Sequence, residues 1–234
     1  MTSKESILNS LNKLFPDYIF ETAFLDHKII IEINNKKLRF NLDDWHHKNE
    51  IVLSIIASIL GQNKTIFARN CQLKKVDKAI AEAFLNENHL LGYLNAYYKY
   101  ALFFDNEIVA IATFSKGRKM NRLSSEKRGF ELISFCCKKN ISVTGGLSKL
   151  LKALITDLKP GDIMTYVDKD WSEGKAYLKI GFKLHSETPP QSFLFNTKTL
   201  TKRKISHDTE LENTLDKDTI LVKNSGNLKL VYTL

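Results

Sequence analysis

The sequence predicts a mixed α/β fold, in which helices flank one central sheet. Apolar strand patterns alternate with amphipathic helix patterns from Asp77 onward. A helical pattern also lies between the apolar strands FELISFCC (130–137) and DIMTYVD (162–168), and such a crossover predicts that they pair in parallel. The composition, 43% apolar and 26% charged, is typical of a chain that buries a core.

The first part of the chain predicts a small αβ segment over residues 1–64. Residues 19–40 read as strands that turn at Asn34-Asn35. A helix then follows, because isoleucines recur at helical spacing and Gly61 is a plausible stop: Ile51, Ile55, Ile56 and Ile59.

The main domain is predicted over residues 65–197. Asp77 is a candidate cap for the helix KAIAEAFLNEN, and a hairpin turns at Asp105-Asn106. Leucines at helical spacing predict a buried helix that ends at residues 159–161. A second helix is expected over 172–180, before the strand FKLHSE. Residues 198–234 are expected to form a basic extension that ends in a short strand.

The charge balance favours an anionic partner. Lysine and arginine total 35 against 26 acidic residues, which gives a net charge of +9. Many basic proteins bind no nucleic acid, so this observation is only a bias. The three cysteines form no metal or disulfide spacing. The N-terminus lacks a secretory pattern and no apolar run reaches the roughly 18 residues of a membrane span, so we expect a cytoplasmic protein without membrane partners.

The stretch VTGGLSK precedes the leucine-rich helix and could bind a phosphate. A turn through glycines into a helix directs backbone N–H groups and the positive end of the helix dipole at one spot. The residues of this candidate site are Val143, Thr144, Gly145, Gly146, Leu147 and Ser148. A glycine pair before a helix is also compatible with a simple turn, and Ser148 could instead cap the helix.

The segment KAYLKIGF (175–182) resembles the motif that closes the core of GNAT acyltransferases. The resemblance covers about residues 66–195 and implies an acyl-CoA-dependent N-acyltransferase that uses acetyl-CoA or another acyl-CoA. It implies that the glycine loop holds the cofactor pyrophosphate and that Tyr177 protonates the leaving thiolate. Tyr177 could equally be a helix tyrosine that packs beside Phe182.

The sequence also resembles phage-encoded proteins related to the Mom family, which modify adenine bases in DNA. The likeness lies in NENHLLGY (86–93), TYVDKDWSEGKAYLKIGF (165–182) and NSGNLKLVY (224–232). It implies a nucleic-acid acceptor, with DNA preferred, and a functional role for His89. A lone histidine is more often structural, so that alternative stays open for His89. Asp168 follows a strand, where a carboxylate could take a proton from an attacking amine or instead cap the next helix.

One position departs from these phage proteins. Ser134 stands where they often carry arginine, which would bind a phosphate or carboxylate more strongly. Either Arg118 or Arg122 takes over that role, or activity is altered or lost.

Two basic segments are candidates for contact with a nucleic-acid backbone, although solvated loops explain them equally well. The predicted binding residues are Lys116, Arg118, Lys119, Arg122, Arg128, Lys202 and Arg203. Just beyond His89, Tyr93, Tyr97 and Tyr98 could stack on a base, although one tyrosine in such a run commonly belongs to the core.

The first 64 residues resemble fragments of a very-short-patch-repair-like nuclease domain. The resemblance places Asp17 and Glu32 at the positions of metal-binding acids, but the segment is too short for the complete nuclease. We expect a remnant without cleavage activity or a metal. Two alternatives to a base-modifying enzyme stay open: a non-catalytic nucleic-acid-binding protein, and an acetyltransferase of a small amine or a protein lysine.

Overall fold

A computed structural model describes residues 4–25, 27–120, 127–199, 201–205 and 217–234, and only the backbone of Thr201, Lys202 and Lys204. The helices are α1 (Lys4–Leu14), α2 (Leu42–Ile59), α3 (Lys78–Asn88), α4 (Gly146–Leu158) and α5 (Lys175–Lys179). The first strands are β1 (Glu21–Leu25), β2 (Lys28–Ile33), β3 (Lys36–Asn41), β4 (Lys64–Phe67), β5 (Gln72–Lys75), β6 (Tyr98–Phe104), β7 (Glu107–Phe114) and β8 (Gly129–Cys137). The later strands are β9 (Ile141–Thr144), β10 (Asp162–Asp168), β11 (Lys183–Glu187), β12 (Ser192–Asn196), β13 (Thr201–Lys204), β14 (Thr219–Lys223) and β15 (Asn227–Thr233).

The chain forms two compact units that alternate along the sequence. Unit 1 comprises Met1–Asn49, Val167–Glu173 and Glu187–Leu228, and unit 2 comprises Glu50–Tyr166, Gly174–Ser186 and Lys229–Leu234. The division into domains at residues 1–64, 65–197 and 198–234 stays a prediction, because compact units need not fold independently.

Unit 1 contains two small antiparallel sheets, β1-β2-β3 and β13-β12-β14. The β2–β3 hairpin turns at Asn34 and Asn35, whose φ values of 49° and 60° suit a tight hairpin turn. Helix α1 buries Ile7 and Leu11 completely. The predicted Asn34-Asn35 turn is therefore confirmed, whereas α1 is an element that the sequence patterns did not indicate.

Unit 2 is built on a seven-stranded sheet with the order β11-β15-β10-β8-β7-β6-β5. Strands β5 to β8 are antiparallel, and β8 and β10 are parallel, as the helical crossover predicts. The C-terminal strand β15 lies between β11 and β10 and completes the sheet. A short parallel pair, β4–β9, stands beside it.

Helices α3 and α4 cover opposite faces of this sheet. Ala101 packs in one apolar cluster with Phe84 and Leu85 of α3. The neighbouring residue Tyr100 instead donates a hydrogen bond to Asp157 of α4 at 2.9 Å. Because successive side chains of a strand point to opposite faces, the two helices lie on different sides. The predicted mixed sheet with flanking helices is therefore confirmed.

The second predicted helix is shorter than the sequence suggested. Helix α5 begins at Lys175 rather than Ser172, because Gly174 has a φ of 70° and interrupts the helical backbone. In contrast, Asp77 caps α3 as predicted, since its Oδ1 accepts a hydrogen bond from the Ile80 N–H at 2.9 Å. No helix among the described residues is both long and apolar enough to cross a bilayer.

Candidate active site

The glycine loop joins β9 to α4 in unit 2. Gly145 is the N-cap residue of α4 with a φ of 77°, a conformation that favours glycine. No side chain caps this helix, and its first backbone hydrogen bond runs from Lys149 N–H to Gly145 O at 3.0 Å. The amides of Gly146, Leu147 and Ser148 precede that bond, so they are the helix's available donors. This geometry suits an anion at the start of α4.

The six predicted cofactor residues differ in accessibility. Thr144, Gly145 and Ser148 are exposed, whereas the side chains of Val143 and Leu147 are buried in the core. A Cβ at Gly146 would lie 3.1 Å from the Cβ of Val143, so this glycine also serves close packing. Ser148 does not cap α4, which leaves its hydroxyl accessible at the loop.

Lys149 adds a positive charge to the first turn of α4, a feature that the sequence analysis missed. Its Nζ donates hydrogen bonds to the carbonyl oxygens of Ala68 and Cys71, at 2.9 and 2.6 Å. These bonds anchor the start of α4 to the segment that follows β4. Only the three-dimensional pairing of β4 with β9 brings that segment near, so no sequence pattern could have indicated it.

The parallel pairing of β8 with β10 is short. It covers Asp162–Gly129, Ile163–Phe130 and Met164–Glu131, although β8 continues to Cys137. Beyond this register Thr165 Oγ1 donates to Leu132 O at 2.9 Å, so a side chain takes the place of a backbone donor. Backbone groups of β8 beyond Leu132 are therefore not paired to β10.

Tyr177 of α5 packs edge-on against Phe182, with the ring centroids 5.7 Å apart. The predicted contact with Phe182 is therefore present, and no described residue accepts a hydrogen bond from the phenol. Burial raises the pKa of Tyr177 to about 12. The phenol thus remains a hydrogen-bond donor across the neutral range, and its catalytic role stays a prediction.

His89 is the C-cap residue of α3, and its backbone N–H donates to Leu85 O at 2.8 Å. Its neighbour Asn88 is buried and was not singled out from the sequence. Asn88 Nδ2 donates to Phe84 O at 2.9 Å, and its Oδ1 accepts from the Lys139 N–H at 2.8 Å. Asn88 therefore fixes the end of α3, and with it the backbone of His89.

Asp168 ends β10 and belongs to unit 1, whereas His89 and Tyr177 belong to unit 2. Its Oδ1 accepts a hydrogen bond from the Asp170 N–H at 2.8 Å, and its carbonyl accepts from Ser172 N–H at 3.1 Å. Asp168 thus organises the turn after β10. The alternative that it caps a helix starting at Ser172 is wrong, because α5 starts at Lys175.

The predicted nucleic-acid residues of unit 2 have exposed side chains: Lys116, Arg118, Lys119 and Arg128. The backbone of Arg118 is held by two hydrogen bonds of 2.9 Å to Gly129. Tyr97 is 60% exposed, and Lys116 Nζ lies 6.0 Å from its ring centroid. This set, with Tyr97, is called the basic surface below.

The remaining predicted nucleic-acid residues do not belong to the basic surface. Arg203 is exposed on β13 in unit 1. Arg122 lies outside the described residues, and only the backbone of Lys202 is described. Of the other candidate aromatics, Tyr93 packs against the cluster under α3, and Tyr98 contacts Phe130 at a centroid distance of 6.0 Å.

Ser134 lies inside the sheet rather than at an accessible surface. It is 3% exposed and faces Thr113 of β7 across the strand pair. Neither hydroxyl has a hydrogen-bond partner among the described residues. Glu32 forms an ion pair with Lys37 in unit 1, and no group of three metal-ligating side chains occurs in the described part of the chain.

No protein-family model matches this chain, and no curated protein matches it either. The chain is similar to solved structures of acetyltransferases. One is Naa50 of Arabidopsis thaliana in complex with the bisubstrate analogue CoA-Ac-MVNAL, at 10% identity and a TM-score of 0.46, over 70% of this chain and 99% of that one.

A second is the ribosomal-protein-S18-alanine N-acetyltransferase of Escherichia coli, at 11% identity and a TM-score of 0.43, over 70% and 93% of the two chains. A third is a GNAT family acetyltransferase of Elizabethkingia anophelis with acetyl-CoA bound, at 13% identity and a TM-score of 0.41, over 70% and 99%. Likeness at this level does not assign the chain to a family.

Proposed function

We propose that this protein is an acyl-CoA-dependent N-acyltransferase. The observation that carries the proposal is the uncapped N-terminus of α4 behind Gly145, where backbone amides are available for a pyrophosphate. Lys149 adds charge beside it, and the early end of the β8–β10 pairing gives an extended pantetheine arm backbone groups to bond. The resemblance of KAYLKIGF to the GNAT motif agrees with this reading.

Acyl-CoA would supply the acyl group as a thioester, and the chain's own residues would handle the protons. Asp168 would orient the attacking amine or accept its proton. Tyr177 would act on the leaving sulfur. The pKa of Tyr177, raised by burial to about 12, lies well above the roughly 8.5 of an ordinary thiol, so complete proton transfer from the phenol to a thiolate is unfavourable. Donation of a hydrogen bond, rather than the whole proton, is therefore the role that this pKa favours.

The proposed acceptor is an amine of a nucleic-acid base, with DNA preferred. The net charge of +9 and the basic surface suit phosphate contacts, and the exposed ring of Tyr97 suits stacking on an unpaired base. The relation to Mom-like phage proteins and the nuclease-remnant origin of residues 1–64 belong to the same proposal.

Calorimetric titration with acetyl-CoA tests the cofactor, and absence of binding at millimolar ligand would refute that half. For the acceptor, nucleosides from cells that express the protein are analysed by mass spectrometry, and a new acylated base is expected. Asp168→Asn should abolish the adduct, because it removes the carboxylate charge but keeps an acceptor for the Asp170 N–H. An adduct of unchanged abundance in this variant would exclude Asp168 from catalysis.

A second candidate, a non-catalytic nucleic-acid-binding protein, is favoured by Ser134. Its buried hydroxyl offers no substitute for the arginine of the related proteins. This candidate predicts duplex binding that weakens steeply with salt, without any binding of acetyl-CoA. Acetyl-CoA binding with a base adduct would exclude it, and binding with an adduct only on protein or small amines would redirect the acceptor.

A further inference from the structure

Unit 1 contains a cavity that the proposed acyltransferase site does not use. Its volume is about 710 Å³, and its described lining comes from the end of β1, from His27, from the β2–β3 hairpin, and from β14 with the turn that follows it. All of these residues belong to unit 1. Small-molecule sites commonly occupy about 300 to 1,000 Å³, so the cavity has the size of a ligand site.

The charged side chains that line this cavity are all positive among the residues that the structure describes. They belong to Lys28, Arg39 and Lys223, and no described carboxylate lines the cavity. No described acidic residue forms an ion pair with Arg39 or Lys223. Arg39 is half-buried on β3, which reduces the competition of water for its guanidinium. Two cations are thus available to a ligand.

Lys28 already forms an ion pair, so its ammonium group is not available to a ligand. Its Nζ donates to Asp170 Oδ2 at 2.8 Å, with the side chains only 12% and 6% exposed. The other oxygen of Asp170 accepts from Ser225 Oγ at 2.6 Å and from Ser225 N–H at 3.2 Å. The Asp170 charge is therefore neutralised and bonded, so it does not repel an anion in the cavity.

The neutral polar lining also offers donors. Asn224 Oδ1 accepts from the Gln191 and Gly226 amides at 2.7 and 3.0 Å, so its acceptor oxygen is engaged. Its side-chain NH₂ forms no hydrogen bond with a described residue. The unengaged side-chain groups of Arg39, Lys223 and Asn224 are thus all donors, which matches an acceptor-rich anion.

The rest of the lining is apolar and includes Ile30, Ile220 and Val222. His27 also lines the cavity, with its ring centroid 5.3 Å from that of Phe195.

We infer that this cavity is a binding site for an organic phosphate of about mononucleotide size. Arg39 and Lys223 bind the phosphate, Asn224 donates to a further acceptor, and the apolar wall covers the body of the ligand. The phosphate can belong to a free nucleotide or to a nucleic-acid strand.

Calorimetry with adenosine monophosphate, adenosine and a short oligonucleotide without terminal phosphates tests this site. We expect the monophosphate to bind at least about tenfold more tightly than adenosine, because two charge-assisted contacts are lost without the phosphate. Competition by the oligonucleotide would show that a backbone phosphodiester also occupies the site. Failure to compete would show that the ligand is the free phosphomonoester.

Arg39→Met and Lys223→Met should each weaken binding of the monophosphate about tenfold, and Lys223, being exposed, is the safer substitution for folding. Lys36→Met is the matched control, because Lys36 is exposed on the same strand as Arg39 but does not line the cavity.

Equal affinities for adenosine and its monophosphate, or equal losses of monophosphate affinity in Lys36→Met and Lys223→Met, would overturn the inference. Acetyl-CoA binding by Lys223→Met should be unchanged, so failure here is distinguishable from failure of the acyltransferase proposal.

Discussion

The glycine loop before α4 and the turn after β10 differ in how their polar groups are satisfied. At the loop, the amides of the first turn of α4 have no capping side chain. At the turn, Asp170 accepts three hydrogen bonds, from Lys28 and from the hydroxyl and amide of Ser225. Both regions follow a strand, and the sequence predicts candidate site residues in or beside both.

This difference separates positions that hold the fold from positions that can hold a ligand. A buried charge with every bond made resists rearrangement, whereas donors left unpaired at an accessible loop are ready for an anion. The two tyrosines Tyr100 and Tyr177 repeat the contrast. Asp157 accepts the hydrogen bond of Tyr100, and no described residue accepts one from Tyr177.

The largest expected effect is on stability, in Asp170→Ala. Removing one partner of a buried ion pair leaves Lys28 charged and mostly buried, so the free energy of unfolding should fall by about 3–5 kcal/mol. Urea denaturation measures this. The control is Glu32→Ala, which breaks the exposed pair with Lys37 and should cost about 0–1 kcal/mol. Similar losses in both variants would show that the turn after β10 is not a structural centre.

Tyr177→Phe should reduce acyl transfer about tenfold, because the proposed hydrogen bond to the leaving sulfur is lost while the packing against Phe182 is kept. Thermal stability should hardly change. The raised pKa, about 12, keeps the phenol protonated, so its contribution should be constant from neutral pH upward and decline only as pH approaches that value. Full activity in Tyr177→Phe would leave Tyr177 with packing alone.

Sequence patterns predicted the helices and turns that depend on residues close together in the chain. Leu147, Leu150, Leu151 and Leu154 recur at helical spacing and are buried in α4, and Asp105-Asn106 form the expected turn with positive φ values. The Lys28–Asp170 pair joins residues 142 positions apart in the sequence. Strand β15 lies between β10 and β11, which both come earlier in the sequence. Such long-range pairings leave no periodicity in the sequence. The glycine loop could be proposed from sequence, but its anchoring by Lys149 could not.

Tyr100→Phe should cost about 1 kcal/mol of unfolding free energy at neutral pH, because a buried hydroxyl loses its bond to Asp157. Hydrogen bonds from Lys75 and Tyr100 lower the pKa of Asp157 below its ordinary value. The folded state therefore favours the carboxylate, and its contribution is complete above the unfolded-state pKa of about 3.9. It is lost as pH falls through the lower folded-state pKa.

The stability difference between Tyr100→Phe and the unmodified protein should accordingly narrow in strong acid. Urea denaturation at about pH 7 and at several pH values below the ordinary carboxyl pKa of about 3.9 checks this. A difference that widens in acid would show that Tyr100 does not act through the ionised Asp157.

The most direct measurement compares acetyl-CoA affinity in Gly145→Ala and Gly61→Ala. The two glycines have φ values of 77° and 73°, so each substitution introduces the same backbone strain, about 1 kcal/mol. Only the methyl group at Gly145 would lie in the proposed path of a pyrophosphate to the α4 amides. We expect similar losses of stability in the two variants, with acetyl-CoA affinity reduced at least about tenfold in Gly145→Ala alone. Equal affinities in the two variants, or no binding by the unmodified protein, would contradict it.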